Sequence, residues 1–170
     1  MTKYNSLKER KFLMENIVIR KAILEDVSYI QNLNNELFKL EKENYDTTLV
    51  LNWALTEEGK DYFEDLIKNQ YVIVATLEDK IIGYLAGSIN EKGSYEEIQY
   101  GEINNMFIKE DYRLYGIGKK LINNFKNYCR NNNISNLKVV ASSKNKNAIE
   151  FYRKNGFDDF NLTLTMNIGD

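Results

Sequence analysis

Apolar residues along this chain follow two periods, one helical and one alternating. Ile17–Arg20 reads as a short first strand. After Asp26, expected as an N-cap, Val27, Ile30, Leu33 and Leu37 recur at helical spacing. A polar connection over 41–52 ends near Trp53. Thr56 is the expected cap of a second helix, with Glu57 and Glu58 in its first turn and Phe63, Leu66 and Ile67 on one face. The period then changes. Tyr71–Leu77 and Lys80–Asn90 are β-branched and aromatic runs separated by Glu78-Asp79, the pattern of a hairpin. A polar loop over 91–99 leads to a third extended run, Tyr100–Ile108. Helical spacing returns with Ile117, Leu121, Ile122, Phe125 and Tyr128, and ends at Asn131–Asn133. Leu137–Ala141 reads as a short buried strand. A further helix covers roughly Asn145–Lys154 and is closed by Asn155-Gly156. Leu162, Leu164, Met166 and Ile168 alternate with polar residues, which predicts a half-exposed last strand. The order β-α-α-β-β-β-α-β-α-β describes an α/β fold, a mixed sheet with helices on both faces.

Residues 1–13 are polar and basic without clean periodicity, and Met14 opens a stretch that reads as a natural start. The expected division is an N-terminal arm over 1–13 and one domain over 14–170, in keeping with a chain of 170 residues. Hydrophobic residues make up 43% and charged residues 28%, enough for one core. The formal net charge of −2 carries no basic excess, so no nucleic-acid partner is expected. The apolar runs are too short to span a bilayer and no signal-peptide pattern opens the chain, so no membrane partner is expected. With Cys129 as the single cysteine there is no disulfide framework, and the expected compartment is the cytoplasm. Histidine is absent, which excludes a Ser-His-Asp triad, a Cys-His pair and a His-ligated metal; a lone cysteine excludes a thiolate zinc cluster. Chemistry must come from carboxylates, tyrosines, lysines, backbone groups or a cosubstrate.

The informative stretch is a strand, then Arg113-Leu114-Tyr115-Gly116-Ile117-Gly118, then a helix. Glycines ahead of a helix N-terminus let backbone N–H groups approach a phosphate, and Lys119 and Lys120 add positive charge. A dinucleotide-binding G-x-G-x-x-G fails at Leu121. A G-x-x-x-x-G-K-[ST] loop fails at Arg113 and Lys120. On spacing alone, a phosphate cradle and a bare turn both remain open.

The pattern R-x-x-G-x-G after a strand resembles the acetyl-CoA pyrophosphate loop of the GNAT superfamily of N-acetyltransferases. Asn145–Phe157, reading NKNAIEFYRKNGF, resembles the second signature of that family, and Asn104–Ile108 resembles its fourth strand. The resemblance spans about 15–168. It implies a single domain with a central, mostly antiparallel mixed sheet and a V-shaped splay between strands 4 and 5. It implies acetyl-CoA as cosubstrate and no metal. It further implies that Met106, Phe107 and Ile108 contact the pantetheine arm, and that Arg113, Leu114, Tyr115, Gly116, Ile117, Gly118 and Lys119 cradle the pyrophosphate, largely through backbone amides. Asn145 would bond the pantetheine or phosphate region, and Tyr152 would line the cosubstrate site and protonate the departing thiolate. A buried core tyrosine is the other reading of Tyr152.

An alkylamine is mostly protonated at neutral pH, and a carboxylate, often through water, can take its proton; Tyr100, Asn104 and Asn105 could instead only position a water. Glu102, on the fourth strand, is the candidate base; an exposed or salt-bridged glutamate is the other reading. A strand bulge, common at this place in the family, would break the alternation needed to assign its face. The acceptor end, which the resemblance places at roughly 33–53 and 90–99, carries Glu36, Glu41, Glu43, Asp46, Glu91, Glu96 and Glu97. That is a solvated acidic face or one that attracts a cationic amine, such as a polyamine, an aminoglycoside or a protein lysine. Trp53 and Cys129 read as packing residues. The expected function is transfer of an acetyl group from acetyl-CoA to a primary amine, on a small molecule or a protein or peptide, by direct attack in a ternary complex. The alternatives are a noncatalytic acyl-CoA-binding sensor or scaffold, and a nucleotide-binding domain. Oligomeric state is not readable from these residues, although dimers are common in the family.

Overall fold

The computed structural model describes residues 7–169. Its sheet consists of β1 (Val18–Lys21), β2 (Tyr71–Leu77), β3 (Lys80–Ile89), β4 (Tyr100–Ile108) and β5 (Asn136–Val139), adjacent in that order. The first four are antiparallel, and β5 runs parallel to β4. The β2–β3 turn is Glu78-Asp79, both with left-handed φ (48° and 62°), the twist that suits a two-residue hairpin. β2 and most of β3 are buried because helices cover both faces of the sheet. One face holds α1 (Leu7–Asn16), α4 (Ile117–Asn131) and α5 (Lys146–Lys154). Ile117, Leu121, Ile122 and Phe125 of α4 pack there on Ile73, Leu85 and Ile103. The other face holds α2 (Val27–Asn44) and α3 (Glu57–Asn69), where Ile30, Leu33, Phe63 and Leu66 meet Val72, Val74, Tyr84 and Phe107. Thr56 caps α3 as expected, its hydroxyl accepting from Gly59 N at 3.2 Å.

The sequence reading differs from this architecture at several places. α1 forms where no periodicity was visible, and it runs across residues 13 and 14; Leu13 is fully buried beside Ile17. Residues 1–6 of the expected arm lie outside the described residues. Asp26 does not cap α2. Its carboxylate accepts from Ile23 N at 2.9 Å in a short 3-10 turn and pairs with Arg20, which holds the carboxyl below its usual range despite burial. α2 continues to Asn44, so the polar connection begins later than expected. β5 is half-buried rather than buried, because among the described residues no strand neighbours its outer edge. The predicted last strand does not form. Residues 157–169 stay outside regular structure and, from 158 on, are exposed, since an alternating segment becomes a strand only when another strand pairs with it. Among the described residues no helix is long and apolar enough to cross a membrane.

Candidate functional site

β4 and β5 pair only from Tyr100↔Asn136 to Ile103↔Val139, and then part. Between Asn105 and Ile103 the β3–β4 register slips by one residue, so Asn104 is an extra residue with no partner on β3. The bulge bends β4 where the strands separate. From Asn104 to Ile108 the backbone of β4 is left without a strand on the β5 side. Met106 and Ile108 face the α4–α5 side of this opening, and Phe107 is buried on the α2–α3 side.

The chain leaves β4 through a 3-10 turn at Glu110–Tyr112 and reaches α4 through the glycine segment. Arg113 turns back: its Nε donates to the Ile108 carbonyl at 2.9 Å, and its guanidinium lies 5.3 Å from the centre of the Phe107 ring. The side chain thus ties the loop to the end of β4. Leu114 and Gly116 take left-handed φ (68° and 78°), which folds the loop over the N-terminus of α4. Tyr115 and Ile117 are buried anchors, and Lys119 is exposed. Among the described residues no N-cap side chain serves α4, whose N-cap is Gly116, and the amides of its first turn have no intrahelical acceptor, the arrangement that suits an anion. The two glycines have different roles. A Cβ on Gly116 would meet nothing within 4 Å, whereas one on Gly118 would lie 2.7 Å from Phe151 Cζ. Gly118 is therefore small so that α4 can pack on α5, and Gly116 is the glycine whose surface is open outward.

α5 opens with Asn145, whose Oδ1 accepts from Ala148 N at 3.0 Å while its Nδ2 donates to Glu41 Oε1 at 3.0 Å. It closes on Gly156 (φ 91°), with Phe157 N donating to the Tyr152 carbonyl at 3.2 Å. The Tyr152 ring sits edge-on to Phe151 and Phe157 at 5.4 and 5.5 Å. Burial, and then the nearby Glu41 carboxylate, push its phenol up to about 12. Burial also raises the Glu41 carboxyl above its usual range, against the Asn145 hydrogen bond, and Asp46 adds to the rise. The sequence reading counted Glu41 only as one acid among several. Nothing in the linear chain ties it to Asn145 or Tyr152, because the contact forms only when the fold brings the C-terminal end of α2 to the start of α5.

The bulge at Asn104 settles the face of Glu102. Ile103, Met106 and Ile108 turn to one side, and Asn105 and Phe107 to the other. Glu102 joins the Asn105 side, close enough that its charge helps burial raise the Tyr62 phenol. Glu102 Oε2 lies 3.1 Å from Lys138 Nζ and accepts from Asn90 Nδ2 at 2.9 Å. Behind it a polar chain crosses the α2–α3 face. Asn105 donates to Tyr62 at 3.2 Å, and Asn34 donates to both Asn105 (3.2 Å) and Tyr84 (2.9 Å). Trp53 packs between Phe38 and Tyr62 at the rim. Sequence reasoning missed this polar chain, since asparagines inside helix and strand patterns read as ordinary polar positions. Cys129 is buried and its thiol is pushed up to about 11 by burial, as suits a packing residue.

The fold is shared with solved acetyltransferases. A predicted acetyltransferase from Clostridium acetobutylicum, in complex with acetyl-CoA, superposes with a TM-score of 0.70 at 22% identity, over 89% of this chain and 96% of that one. AAC(6')-Iy in complex with the bisubstrate analogue CoA-S-monomethyl-acetylneamine superposes with a TM-score of 0.70 at 13% identity, over 91% of this chain and 99% of that one. At these identities the likeness is one of fold. An uncharacterized N-acetyltransferase of Methanocaldococcus jannaschii is 31% identical over 100 residues, a match that covers 58% of this chain and only 44% of that protein. The match that decides the question is broader: residues 31–157, which contain the parted strands, the glycine turn and α5, match the acetyltransferase (GNAT) family, and the chain belongs to that family.

Proposed function

We propose that this chain transfers an acetyl group from acetyl-CoA to a primary amine by direct attack in a ternary complex. The observation that carries the reading is the gap between β4 and β5 beyond Ile103, which opens beside the uncapped N-terminus of α4. The gap exposes strand backbone able to hold an extended amide-containing arm, and the first turn of α4 presents amides to a pyrophosphate. Lys119 adds charge there, and Gly116 leaves room for close approach. Acetyl-CoA would supply an activated thioester. A β4 backbone N–H in the gap polarises the carbonyl that the amine attacks. Tyr152, at the α5 wall, gives its proton to the departing sulfur. Glu102 takes the amine proton through a water. Its two close contacts both fall on Oε2, and its face also carries Tyr62 and Asn105. The acceptor enters across the α2–α3 side, past Trp53 and the acidic residues of α2 and the β3–β4 loop. Its class is a cationic amine, in line with the bisubstrate analogue held by AAC(6')-Iy.

The test is thiol release from acetyl-CoA with a panel of polyamines, aminoglycosides and lysine peptides, run beside calorimetry of acetyl-CoA binding. Turnover with a cationic amine is the expected result. Binding with no release for any acceptor would make the chain an acyl-CoA-binding sensor or scaffold, and absence of binding would end the reading. The same assay addresses the base. With chemistry limiting, Glu102→Gln should lose rate near neutral pH and recover it toward the amine pKa, where free amine is abundant. A pH profile parallel to wild type would remove Glu102 from the proton path.

A further inference from the structure

The candidate base already has a primary amine beside it, and that amine belongs to the chain itself. Glu102 on β4 and Lys138 on β5 are register partners, so both side chains leave the sheet on the same face, and Lys138 Nζ lies 3.1 Å from Glu102 Oε2. This is the face from which the acceptor is proposed to enter. The pair also stands at the fork of the sheet. One row further on, Ile103↔Val139 is the last pairing before β4 and β5 part. At about 3.3 Å per residue, Asn104, where the gap opens, is about 7 Å along the strand from the Glu102 row, within reach of a four-carbon side chain. Lys138 can turn that way. Its strand is the last of the sheet among the described residues, and its side chain is 45% exposed against 21% for Glu102. An ion pair this open contributes little stability, and four rows of backbone pairing hold β5 to β4 without it. Asn90 Nδ2 donates to the same Oε2 at 2.9 Å, which keeps the carboxylate in place when the lysine leaves.

We propose that Lys138 is a self-acetylation site, modified by its own chain when acetyl-CoA is bound and no other amine is present, and that the modification frees Glu102 for an external amine. The inference rests on the reading that places acetyl-CoA in the β4–β5 gap and makes Glu102 the base. Lys138 gives one Nζ proton to Glu102, and the lone pair this releases attacks the thioester carbonyl. The N–C bond forms, the C–S bond breaks, and Tyr152 gives its proton to the sulfur. The nitrogen then loses a second proton, which restores the phenol. The products are Nε-acetyl-Lys138, the thiol of CoA and one proton passed from Glu102 to solvent. The new amide carries no charge, so Glu102 no longer faces a built-in cation. An external cationic amine then meets the carboxylate without a competitor.

The test is incubation of the full chain with isotope-labelled acetyl-CoA at neutral pH without added amine, followed by peptide mass mapping of every lysine. Lys138 should be labelled about a hundredfold faster than other exposed lysines such as Lys68 and Lys154, because a positioned amine has a high effective concentration. Its rate constant should not change on dilution of the protein, as an intramolecular step requires. Tyr152→Phe should slow it and leave the background at the other lysines as it was. Two variants read the consequence. Lys138→Arg keeps a cation at Glu102, and Lys138→Gln copies the neutral amide. KM for a cationic amine should be several-fold lower in Lys138→Gln than in Lys138→Arg, with acetyl-CoA affinity in calorimetry the same in both. Labelling spread evenly over the lysines, a Lys138 rate constant that rises with protein concentration, or equal KM in the two variants would each overturn the proposal. Turnover of an external amine beside an unlabelled Lys138 would sink self-acetylation and leave the acetyl-transfer reading standing, whereas absence of acetyl-CoA binding would end both.

Discussion

Tyr152 and Glu41 sit in surroundings that oppose ionisation of both. Burial and the Glu41 charge hold the proton on Tyr152, so in the proposed reaction it would meet the thioester protonated, as a donor to the leaving sulfur must. Tyr152→Phe keeps the ring between Phe151 and Phe157 and removes only the hydroxyl. Its kcat should fall by about 10²–10⁴-fold, with acetyl-CoA affinity in calorimetry little changed; a kcat near wild type would make the ring a packing element. Glu41 makes a separate prediction. Its folded carboxyl ionises above the value it has in the unfolded chain, so the folded state holds that proton longer. The stability gained by this is full below the unfolded value and is lost as pH rises through the folded one. The groups facing it are Asn145, Tyr152 and Asp46, the last near Lys42 and Lys144. Glu41→Gln keeps an acceptor for Asn145 and abolishes the titration. Its melting temperature should exceed wild type at pH 7, with the gap closing toward pH 4, and its Tyr152 phenol should titrate lower in ultraviolet difference spectra. A gap of constant size across that range would assign the effect to packing.

At the scale of elements, the chain was legible wherever one local signal decides the outcome. The Thr56 cap, the Glu78-Asp79 turn, the apolar face of α4 and the Gly156 closure of α5 all formed as read. It was illegible where a partner decides. α1 has no amphipathic signature and is held by Leu13 in the core, Asp26 chose Arg20 over the helix, and the tail alternates without a neighbour. The glycine turn lies between these cases. Its position was readable, but the division of labour between Gly116 and Gly118 appears only once α5 is packed on α4. That division can be tested by substitution. Gly118→Val pushes Phe151 off α4 and should destabilise the fold by about 1–3 kcal/mol in denaturant titrations, the range for an overfilled contact. Gly116→Ala meets no atom, but a Cβ at left-handed φ costs about 1 kcal/mol. Its methyl points to where the pyrophosphate is expected, so acetyl-CoA affinity should fall while the melt moves little. Equal loss of affinity in both, at unchanged stability, would mean that both glycines face the phosphate.

Across the whole molecule the two proposed ligands would meet opposite charge. Lys119 and Lys120 flank the turn where the pyrophosphate is expected. Glu36, Glu41 and Glu43 on α2 and Glu91, Glu96 and Glu97 in the β3–β4 loop belong to the segments expected at the acceptor end. The formal net charge is only −2, so this separation of sign, rather than an overall excess, would set the long-range field an approaching amine meets. Most of these acids are exposed, and salt at about 0.15 M screens exposed charges beyond about 8 Å. A solvated acidic face and one that recruits a cation therefore differ in how KM responds to salt. If the face recruits the acceptor, KM for an amine with several positive charges should rise several-fold as ionic strength goes from about 0.01 to about 0.5 M, where the screening length shrinks from about 30 Å to a few ångströms. KM for an amine with one charge should rise much less. Acetyl-CoA must be kept saturating at every salt concentration, because on the proposed placement its phosphates would meet the lysine side of the molecule and their binding would weaken with salt on its own. Reversing charge at Glu36 and Glu43, both exposed on α2 and away from the proposed proton path, should flatten the salt response while leaving kcat unchanged. Equal salt dependence for singly and multiply charged amines would return these acids to the role of a solvated surface.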